Sequence, residues 1–175
     1  MQQIFGSGGA TATKLTPSHL RLAGKIVLTK SNNLRCLIVG GEALEKSHLL
    51  IAEELSPSVK IYNEYGPTEA TVGCTVTHVA SHSTITIGRP ISNCSIYLLN
   101  QDDQIQLPGL RGEIAIVGPC LSEGYWNQPD ETTRKFIMLP SGERLYKTGD
   151  IGSWSLSGDW IYHGRADQQL KSNGH

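Results

Sequence analysis

The strongest constraint on the fold is an ordered series of strand, turn, helix and strand signals in the first half of the chain. Residues 34–39 (LRCLIV) form a short apolar run, which is typical of a strand buried on both faces. Gly40-Gly41 turns the chain, a helical stripe follows, and residues 59–62 resemble a second strand. The stripe consists of Leu44, Ile51 and Leu55. This order predicts a right-handed βαβ unit of a parallel sheet.

An earlier helix is predicted just before this unit. Thr16 is a good N-cap and Pro17 fits the first helical turn, so the helix should begin there. Gly24 is a typical C-terminal stop, so we expect the helix to end at that residue.

The second half of the chain is rich in strand and turn signals. A helix is predicted at about 129–136, opened by Pro129-Asp130-Glu131. The strand candidates are residues 96–99, 112–117, 145–147 and 160–163. We therefore expect an α/β fold: a βαβ parallel-sheet lobe over residues 1–80, followed by a β-rich lobe over 81–165, built as a small antiparallel barrel or distorted sheet.

Composition excludes several classes of function. Fifteen Lys and Arg residues balance sixteen Asp and Glu residues, for a net charge of −1. A chain with this net charge has no strong electrostatic attraction for nucleic acid or for an anionic membrane. No apolar run approaches the roughly 18 residues of a membrane span, and the N-terminus lacks a signal-peptide layout. We expect a cytoplasmic protein with no nucleic-acid or membrane partner.

Cysteine and histidine placement gives no metal signal. The four cysteines are spread singly, without a C-x-x-C pair, and we expect them to be reduced. His78 and His82 have the i, i+4 spacing of a helical metal pair, but the Thr- and Val-rich residues around them favour a strand. We therefore interpret them as two exposed loop histidines.

Two turns at predicted strand ends could hold a ligand, because parallel α/β sheets bind ligands at the carboxyl ends of their strands. One turn is residues 40–43 (GGEA) and the other is residues 63–69 (NEYGPTE). The second turn combines an amide, an aromatic ring, a hydroxyl and a carboxylate, which could read a base edge, stack on it, contact phosphate and hold magnesium. A solvated turn of ordinary composition is the alternative.

The glycine-rich segment at residues 6–14 (GSGGATATK) is not a phosphate loop. It matches neither G-x-x-x-x-G-K-[ST] nor G-x-G-x-x-G, and no strand precedes it. We expect residues 6–10 to be a flexible segment.

Five motifs together resemble one known family. They are LRCLIVGGEAL, NEYGPTE, GEIAIVGPCLSEGYWNQPDETTRKF, RLYKTGD and YHGRADQQLK, and they follow the order and approximate spacing of the adenylate-forming superfamily. Pro67 and Asn63 make the segment similar to amino-acid adenylation domains of nonribosomal peptide synthetases rather than to acyl-CoA synthetases or luciferases.

The resemblance implies a reaction and its partners. In such domains a carboxylate attacks the α-phosphate of ATP in the presence of Mg²⁺, giving an acyl-adenylate and pyrophosphate. The phosphopantetheine thiol of a carrier protein, next to other synthetase domains, then takes the acyl group. The protein contributes mainly positioning and charge stabilisation.

The resemblance also implies the roles of individual residues at the nucleotide. Tyr65 would stack on adenine, Asn63 would read its amino group, and Asp150 would accept hydrogen bonds from both ribose hydroxyls. Thr68 would contact the α-phosphate and Glu69 would help hold Mg²⁺. The remaining implied residues are Gly41, Glu42 and Ala43 along adenine, Arg165 near the ribose and phosphate, and Asp167 at the hinge to a mobile lobe.

The family's substrate-pocket pattern falls on six residues of this chain: Lys14, Ile38, Gly40, Glu64, Val72 and Gly73. Lys14 and Glu64 offer a donor-only and an acceptor-only group, which a side-chain carboxamide satisfies together. The pattern resembles that for L-asparagine. Aspartate is the second choice because its carboxylate would repel Glu64. The alternative is that Lys14 and Glu64 pair with each other or with solvent.

The family's pattern extends beyond this sequence at both ends. We expect a partial adenylation domain that is inactive alone, with residues 166–175 as a truncated hinge. Asn173 and Glu123 also stand where the family usually has arginine. Two other hypotheses stay open: a fragment of an acyl-CoA synthetase-like ligase, and a non-catalytic α/β binding module.

Overall fold

The computed structural model describes Phe5, residues 9–27, residues 33–107 and residues 109–166. The described chain forms two compact units. The first contains residues up to Glu64 together with Thr77–Thr86, and the second contains Tyr65–Val76 and the residues from Ile87 onward. The predicted division at residues 80 and 165 stays a prediction.

The first unit is a parallel sheet with connecting helices. Its strands β1 (Ala12–Leu15), β2 (Cys36–Gly40) and β3 (Lys60–Tyr65) are neighbours in that order, and β4 (Thr75–Val79) follows β3 in the strand order of this sheet. Both the β1–β2 and β2–β3 pairs are parallel. Helix α1 (Pro17–Ile26) connects β1 to β2, and helix α2 (Lys46–Leu55) connects β2 to β3. The predicted α/β lobe is confirmed.

Three details of the first unit differ from the sequence prediction. Helix α1 does not stop at Gly24 but continues to Ile26. The glycine instead allows close packing of α2, since a Cβ at Gly24 would lie 2.8 Å from the Ile51 side chain. Helix α2 begins at Lys46, so Leu44 lies before it. Strand β1 was missed, since four residues with one buried side chain carry almost no apolar signal.

The core of the first unit lies on one face of its sheet. Alternate residues of β2 and β3 are buried there, including Leu37, Val39 and Ile61. Leu20, Ala23, Leu49 and Ala52 of the two helices belong to the same apolar cluster. Thr16 caps α1 as predicted, and its hydroxyl accepts a hydrogen bond from the His19 N–H. Residues of the opposite sheet face are half-buried and form part of the candidate site.

The second unit contains an antiparallel sheet. Its strand order is β10-β9-β7-β6, and β8 pairs with β9. The elements are a 3-10 helix (Thr68–Ala70), β5 (Arg89–Pro90), β6 (Ser95–Leu99), β7 (Arg111–Val117), α3 (Pro129–Lys135), β8 (Phe136–Met138), β9 (Arg144–Trp154) and β10 (Trp160–Arg165). Thr75 and Val76, at the start of β4, pair with β5. The predicted distorted sheet is confirmed, and within the described residues it is open rather than closed into a barrel.

Two apolar clusters stabilise the second unit. One contains Tyr65, Ile96, Ile114, Ile116 and Trp160, and the other is built around Leu99, Ala115 and Leu145. Strand β9 is much longer than the predicted 145–147 because it pairs with β7, β8 and β10. None of the described helices has the length and apolar character that a membrane span requires.

Two adjacent leucines of α2 test this account of the first core. Leu49 is fully buried and Leu50 is 58% exposed. We expect Leu49→Ala to lower the free energy of unfolding by about 2–5 kcal/mol because it leaves a cavity. Leu50→Ala should change it by less than about 0.5 kcal/mol. Urea denaturation followed by circular dichroism measures both, and equal losses would contradict the predicted burial.

Candidate functional site

A tyrosine and an aspartate that are distant in sequence meet in the second unit. Tyr65 ends β3 and Asp150 lies in the middle of β9. The Tyr65 hydroxyl donates a hydrogen bond to Asp150 Oδ2 at 2.7 Å. Tyr65 is 7% exposed and Asp150 1%. The contact brings together two residues that the motifs placed at one nucleotide site.

A cation completes the surroundings of the Asp150 carboxylate. Arg165 of β10 lies opposite Asp150 in the antiparallel register. Its guanidinium is 3.5 Å from Asp150 Oδ1 and donates to the Thr148 carbonyl at 3.1 Å. The Asp150 N–H donates to the Thr148 hydroxyl. A buried carboxylate is costly without such partners, so these contacts offset the cost of burying Asp150 and fix the direction of its side chain.

The aromatic rings beside Asp150 belong to the core of the second unit. The ring centroids of Tyr65 and Tyr162 are 6.1 Å apart. Burial raises the pKa of Tyr65 well above its usual value, and the Asp150 charge adds to this effect. Burial and Asp150 also raise the pKa of Tyr162, while Arg165 opposes the shift. Both phenols are therefore neutral hydrogen-bond donors at physiological pH.

The turn that follows Tyr65 carries the predicted catalytic pair. Thr68 begins the 3-10 helix and is exposed, whereas Glu69 is half-buried. The Tyr125 hydroxyl donates to Glu69 Oε1, and the Ser122 N–H donates to the Glu69 carbonyl at 2.8 Å. Tyr125 also lies 3.3 Å from the Tyr146 hydroxyl. Glu69 is thus held in direction by neighbours that belong to the same unit.

Four of the predicted substrate residues lie on one face of the first sheet. Lys14, Ile38 and Tyr62 share one register row, and Gly40 pairs with Glu64 two residues further on. Because side chains alternate along a strand, Ile38, Gly40 and Glu64 face the same side. The Lys14 ammonium forms an ion pair with Glu64 Oε2. The sequence left open whether Lys14 and Glu64 face a ligand or pair with each other or with solvent. In this structure they pair with each other.

The other two predicted substrate residues lie in the second unit. Val72 is 47% exposed and has a left-handed backbone, with φ of 70°. Gly73 follows it and is half-buried. Both come directly after the turn that carries Thr68 and Glu69.

Glu42 has a structural contact that the motifs did not indicate. Ser18, at the start of α1, donates to Glu42 Oε2 from its N–H at 3.1 Å and from its hydroxyl at 2.6 Å. Burial alone would raise the pKa of Glu42, but these hydrogen bonds and the Arg21 charge outweigh it and lower the pKa. The carboxylate therefore fastens the exposed residues Gly41 and Ala43 to the N-terminus of α1.

Asn63 lies on the buried face of β3, opposite to that of Glu64. It is 5% exposed, and its Nδ2 amide donates to the Thr86 carbonyl at 2.7 Å. Its Oδ1 is the atom that could accept a hydrogen bond from an amino group. Asp167, the predicted hinge, lies outside the described residues, as do residues 6–8 of the glycine-rich segment.

Comparison with known proteins identifies the family. The profile of the AMP-binding enzyme family matches residues 4–126. The chain belongs to this family. It is 45% identical over 145 residues to tyrocidine synthase 3 of Brevibacillus parabrevis, and 38% identical over 183 aligned positions to bacitracin synthase 3 of Bacillus licheniformis. These alignments cover 81% and 100% of this chain but only 2% and 3% of those synthases.

A solved structure shows the same relationship in three dimensions. PA1221, described as an NRPS protein containing adenylation and PCP domains, superposes with a TM-score of 0.84 at 32% identity. The match covers 95% of this chain and 35% of PA1221. The predicted resemblance to part of an adenylation domain is confirmed. This AMP-binding chain spans about a third of the solved protein.

The contact between Tyr125 and Glu69 was not predicted from the sequence. Tyr125 lies in a quoted motif, yet nothing in its spacing relates it to Glu69, which is 56 positions away. The only local signal is an aromatic residue after Gly124, which is equally typical of an ordinary turn. Only the tertiary fold brings the phenol to the carboxylate.

This contact predicts a dependence of stability on pH. Burial and the hydrogen bond to Glu69 raise the pKa of Tyr125 to about 12, whereas an unfolded tyrosine ionises near pH 10. The contribution to stability is complete below about pH 10 and is lost as pH rises toward 12. Urea denaturation should therefore show stability that stays level between about pH 8 and 9 and falls as the pH rises through 10 toward 11.

Two variants separate Tyr125 from the other buried tyrosines. Tyr125→Phe should reduce the alkaline slope, and the remaining slope belongs to Tyr65, Tyr146 and Tyr162 and to the Cys120 thiol, whose pKa is also raised. Glu69→Gln keeps a hydrogen-bond acceptor for Tyr125 but removes the negative charge. The pH dependence of its stability should therefore lie between those of the unsubstituted chain and Tyr125→Phe. A slope that Tyr125→Phe leaves unchanged would contradict the contact.

Proposed function

We propose that this chain is part of an ATP-dependent amino-acid adenylation domain. The domain would convert an amino acid and ATP into aminoacyl-AMP and pyrophosphate. The observation that carries the proposal is the buried contact of Tyr65, Asp150 and Arg165. These residues belong to three separate motifs, and their meeting in one unit is what a nucleotide site built from those motifs requires.

In this proposal Asp150 binds the ribose, and because Asp150 is 1% exposed, the ribose would have to displace groups that cover its carboxylate. A carboxylate has about four acceptor positions, so Asp150 can accept from ribose hydroxyls in addition to Tyr65 and Arg165. Arg165, 3.5 Å from the Asp150 carboxylate, would lie near the phosphate. The Tyr65 ring is largely packed in the core, so adenine would contact its remaining accessible part.

The phosphates would be handled by the turn after Tyr65. The exposed Thr68 hydroxyl can donate to a phosphate oxygen. Glu69 supplies the hard carboxylate oxygen that Mg²⁺ prefers, and Tyr125 holds its direction. When bound, Mg²⁺ supplies positive charge to the phosphates. Among the described residues no three side chains form a metal cluster, so Glu69 would act together with phosphate and water oxygens.

The substrate side chain would lie at the Lys14–Glu64 pair. Because these charges neutralise each other, a neutral polar group can join them without adding charge. A carboxamide accepts from the Lys14 ammonium and donates to the Glu64 carboxylate. An aspartate side chain would instead place a second negative charge beside Glu64. L-asparagine is therefore the substrate that we propose.

The acyl group would then pass to a carrier-protein thiol. Support comes from PA1221, an NRPS protein that contains a PCP domain as well as an adenylation domain. We propose that the whole protein works in the cytoplasm, which fits the four free cysteines of this chain.

ATP–pyrophosphate exchange tests the proposal, using a complete adenylation domain that contains this segment. We expect exchange that depends on asparagine and is at least about tenfold weaker with aspartate. Formation of acyl-CoA from a fatty acid and coenzyme A would favour the acyl-CoA ligase hypothesis instead. Lack of both activities and of nucleotide binding would favour a binding module.

The Glu64→Gln variant tests the substrate pocket separately. Removing the negative charge should allow aspartate to bind beside Lys14, so the preference for asparagine over aspartate should fall by roughly tenfold. Glu54→Gln, on the exposed face of α2, is the matched control and should keep the preference. Unchanged selectivity in Glu64→Gln would mean that Glu64 does not face the substrate.

A further inference from the structure

Two cysteines of the second unit have their sulfur atoms in contact. Cys94 lies immediately before β6, and Cys120 lies in the turn after β7. Cys94 Sγ donates to Cys120 Sγ at 3.1 Å, and both residues are free and half-buried. The two residues are 26 positions apart, so the contact is produced by the fold and not by local spacing.

The backbone around both residues is built for close approach. A Cβ on Gly118 would lie 2.5 Å from the Asn93 carbonyl oxygen and 3.2 Å from the Cys94 Cα, so only glycine fits there. Asn93 has a left-handed conformation with φ of 66°, which turns the chain into Cys94. The Cys94 N–H donates to the Ile91 carbonyl. Main-chain geometry therefore holds the turn at Gly118 close to the segment that carries Cys94.

Small oxidants can reach Cys94, one member of the pair. Cys94 lines an open surface cleft of about 510 Å³ together with Arg89, Pro90, Trp154 and Trp160. Cys36 has no such thiol neighbour among the described residues, and Cys74 is fully buried with its sulfur on the Tyr65 carbonyl. The pair thus differs from Cys36 in its thiol contact and from Cys74 in both contact and access.

We propose that Cys94 and Cys120 form a redox-active dithiol that closes to a disulfide under oxidising conditions. The sulfurs need to approach by only about 1 Å to reach the disulfide bond length of roughly 2.05 Å. The two backbone segments already lie side by side, so closure needs no rearrangement of the sheet.

The oxidant can be a hydroperoxide. One thiol takes an oxygen atom from the peroxide and becomes a sulfenic acid, and the peroxide leaves as water or an alcohol. The second thiol attacks the sulfenic sulfur, the S–S bond forms, and the hydroxyl leaves as water with the thiol proton. Overall two thiols are oxidised and one peroxide is reduced. Burial and the Cys94 contact raise the pKa of Cys120 to about 11, so closure should become faster as pH rises above neutral.

The disulfide would restrain residues 118–122, which are hydrogen-bonded to the turn that carries Thr68 and Glu69. The Thr71 hydroxyl donates to the Cys120 carbonyl at 2.6 Å, and the Ser122 N–H donates to the Glu69 carbonyl at 2.8 Å. Linking Cys120 to β6 restrains residues 118–122 and, through these two hydrogen bonds, the turn. The thiol chemistry itself does not depend on any ligand.

Peptide mapping of the reduced 175-residue chain tests the proposal. After treatment with hydrogen peroxide, mass spectrometry under non-reducing conditions should find one peptide pair linked through Cys94 and Cys120. Dithiothreitol should reverse the link. Cross-links through Cys36 or Cys74, or sulfinic and sulfonic acids at Cys94 and Cys120 without a link, would overturn the proposal. This experiment uses the unsubstituted chain, so its result does not depend on whether a variant folds.

Variants and a stability measurement give independent readouts. The Cys36→Ser/Cys74→Ser chain should form the same link, whereas Cys94→Ser and Cys120→Ser should not form an intramolecular one. In the unsubstituted chain the link should raise Tm by roughly 5–10 °C and increase amide protection of residues 118–122 in hydrogen exchange. A link that lowers Tm would show that closure distorts the fold and would contradict the geometry.

Discussion

The buried carboxylate of Asp150 is the constraint on which the second unit depends. It is almost fully inaccessible, so its charge must be compensated inside the protein by the Tyr65 hydroxyl and the Arg165 guanidinium. These partners come from the end of β3 and from the last strand, β10. The unit can therefore reach its native core only when three distant pieces of sequence fold together. That requirement gives the candidate nucleotide site its fixed geometry.

Paired polar groups recur around the other candidate residues. Glu69 is held by Tyr125, Glu42 by Ser18, and Glu64 by Lys14. In each case a carboxylate is oriented by a donor that lies far from it in the sequence, 24 positions away for Glu42 and 56 for Glu69. Such orientation is what phosphoryl and acyl chemistry needs from a protein, because positioning and charge are its main contributions. The AMP-binding family membership fits this arrangement.

The parts of the fold that bury apolar side chains in a regular pattern were predictable from sequence. Strands β2 and β7 have this apolar pattern, whereas β1 and β8 are short and owe their pairing to neighbours. Helix α3 buries no residue and was predicted from its N-terminal signal, Pro129-Asp130-Glu131. Gly24 was misjudged as a helix stop because its reason is contact with Ile51 on another helix. The site residues came from motifs, but the Lys14–Glu64 pair and the Tyr125–Glu69 contact could not be decided, since both depend on tertiary distances. The Cys94–Cys120 contact was missed for the same reason.

A double-mutant cycle on Tyr65 and Asp150 tests the central interaction most directly. The free energies of unfolding of Tyr65→Phe, Asp150→Asn and the double variant are measured by urea denaturation and compared with the unsubstituted chain. A direct hydrogen bond to a buried carboxylate predicts a coupling energy of about 1–3 kcal/mol, with the double variant less destabilised than the sum of the single variants. Additive effects, within about 0.5 kcal/mol, would contradict the contact and the site built on it.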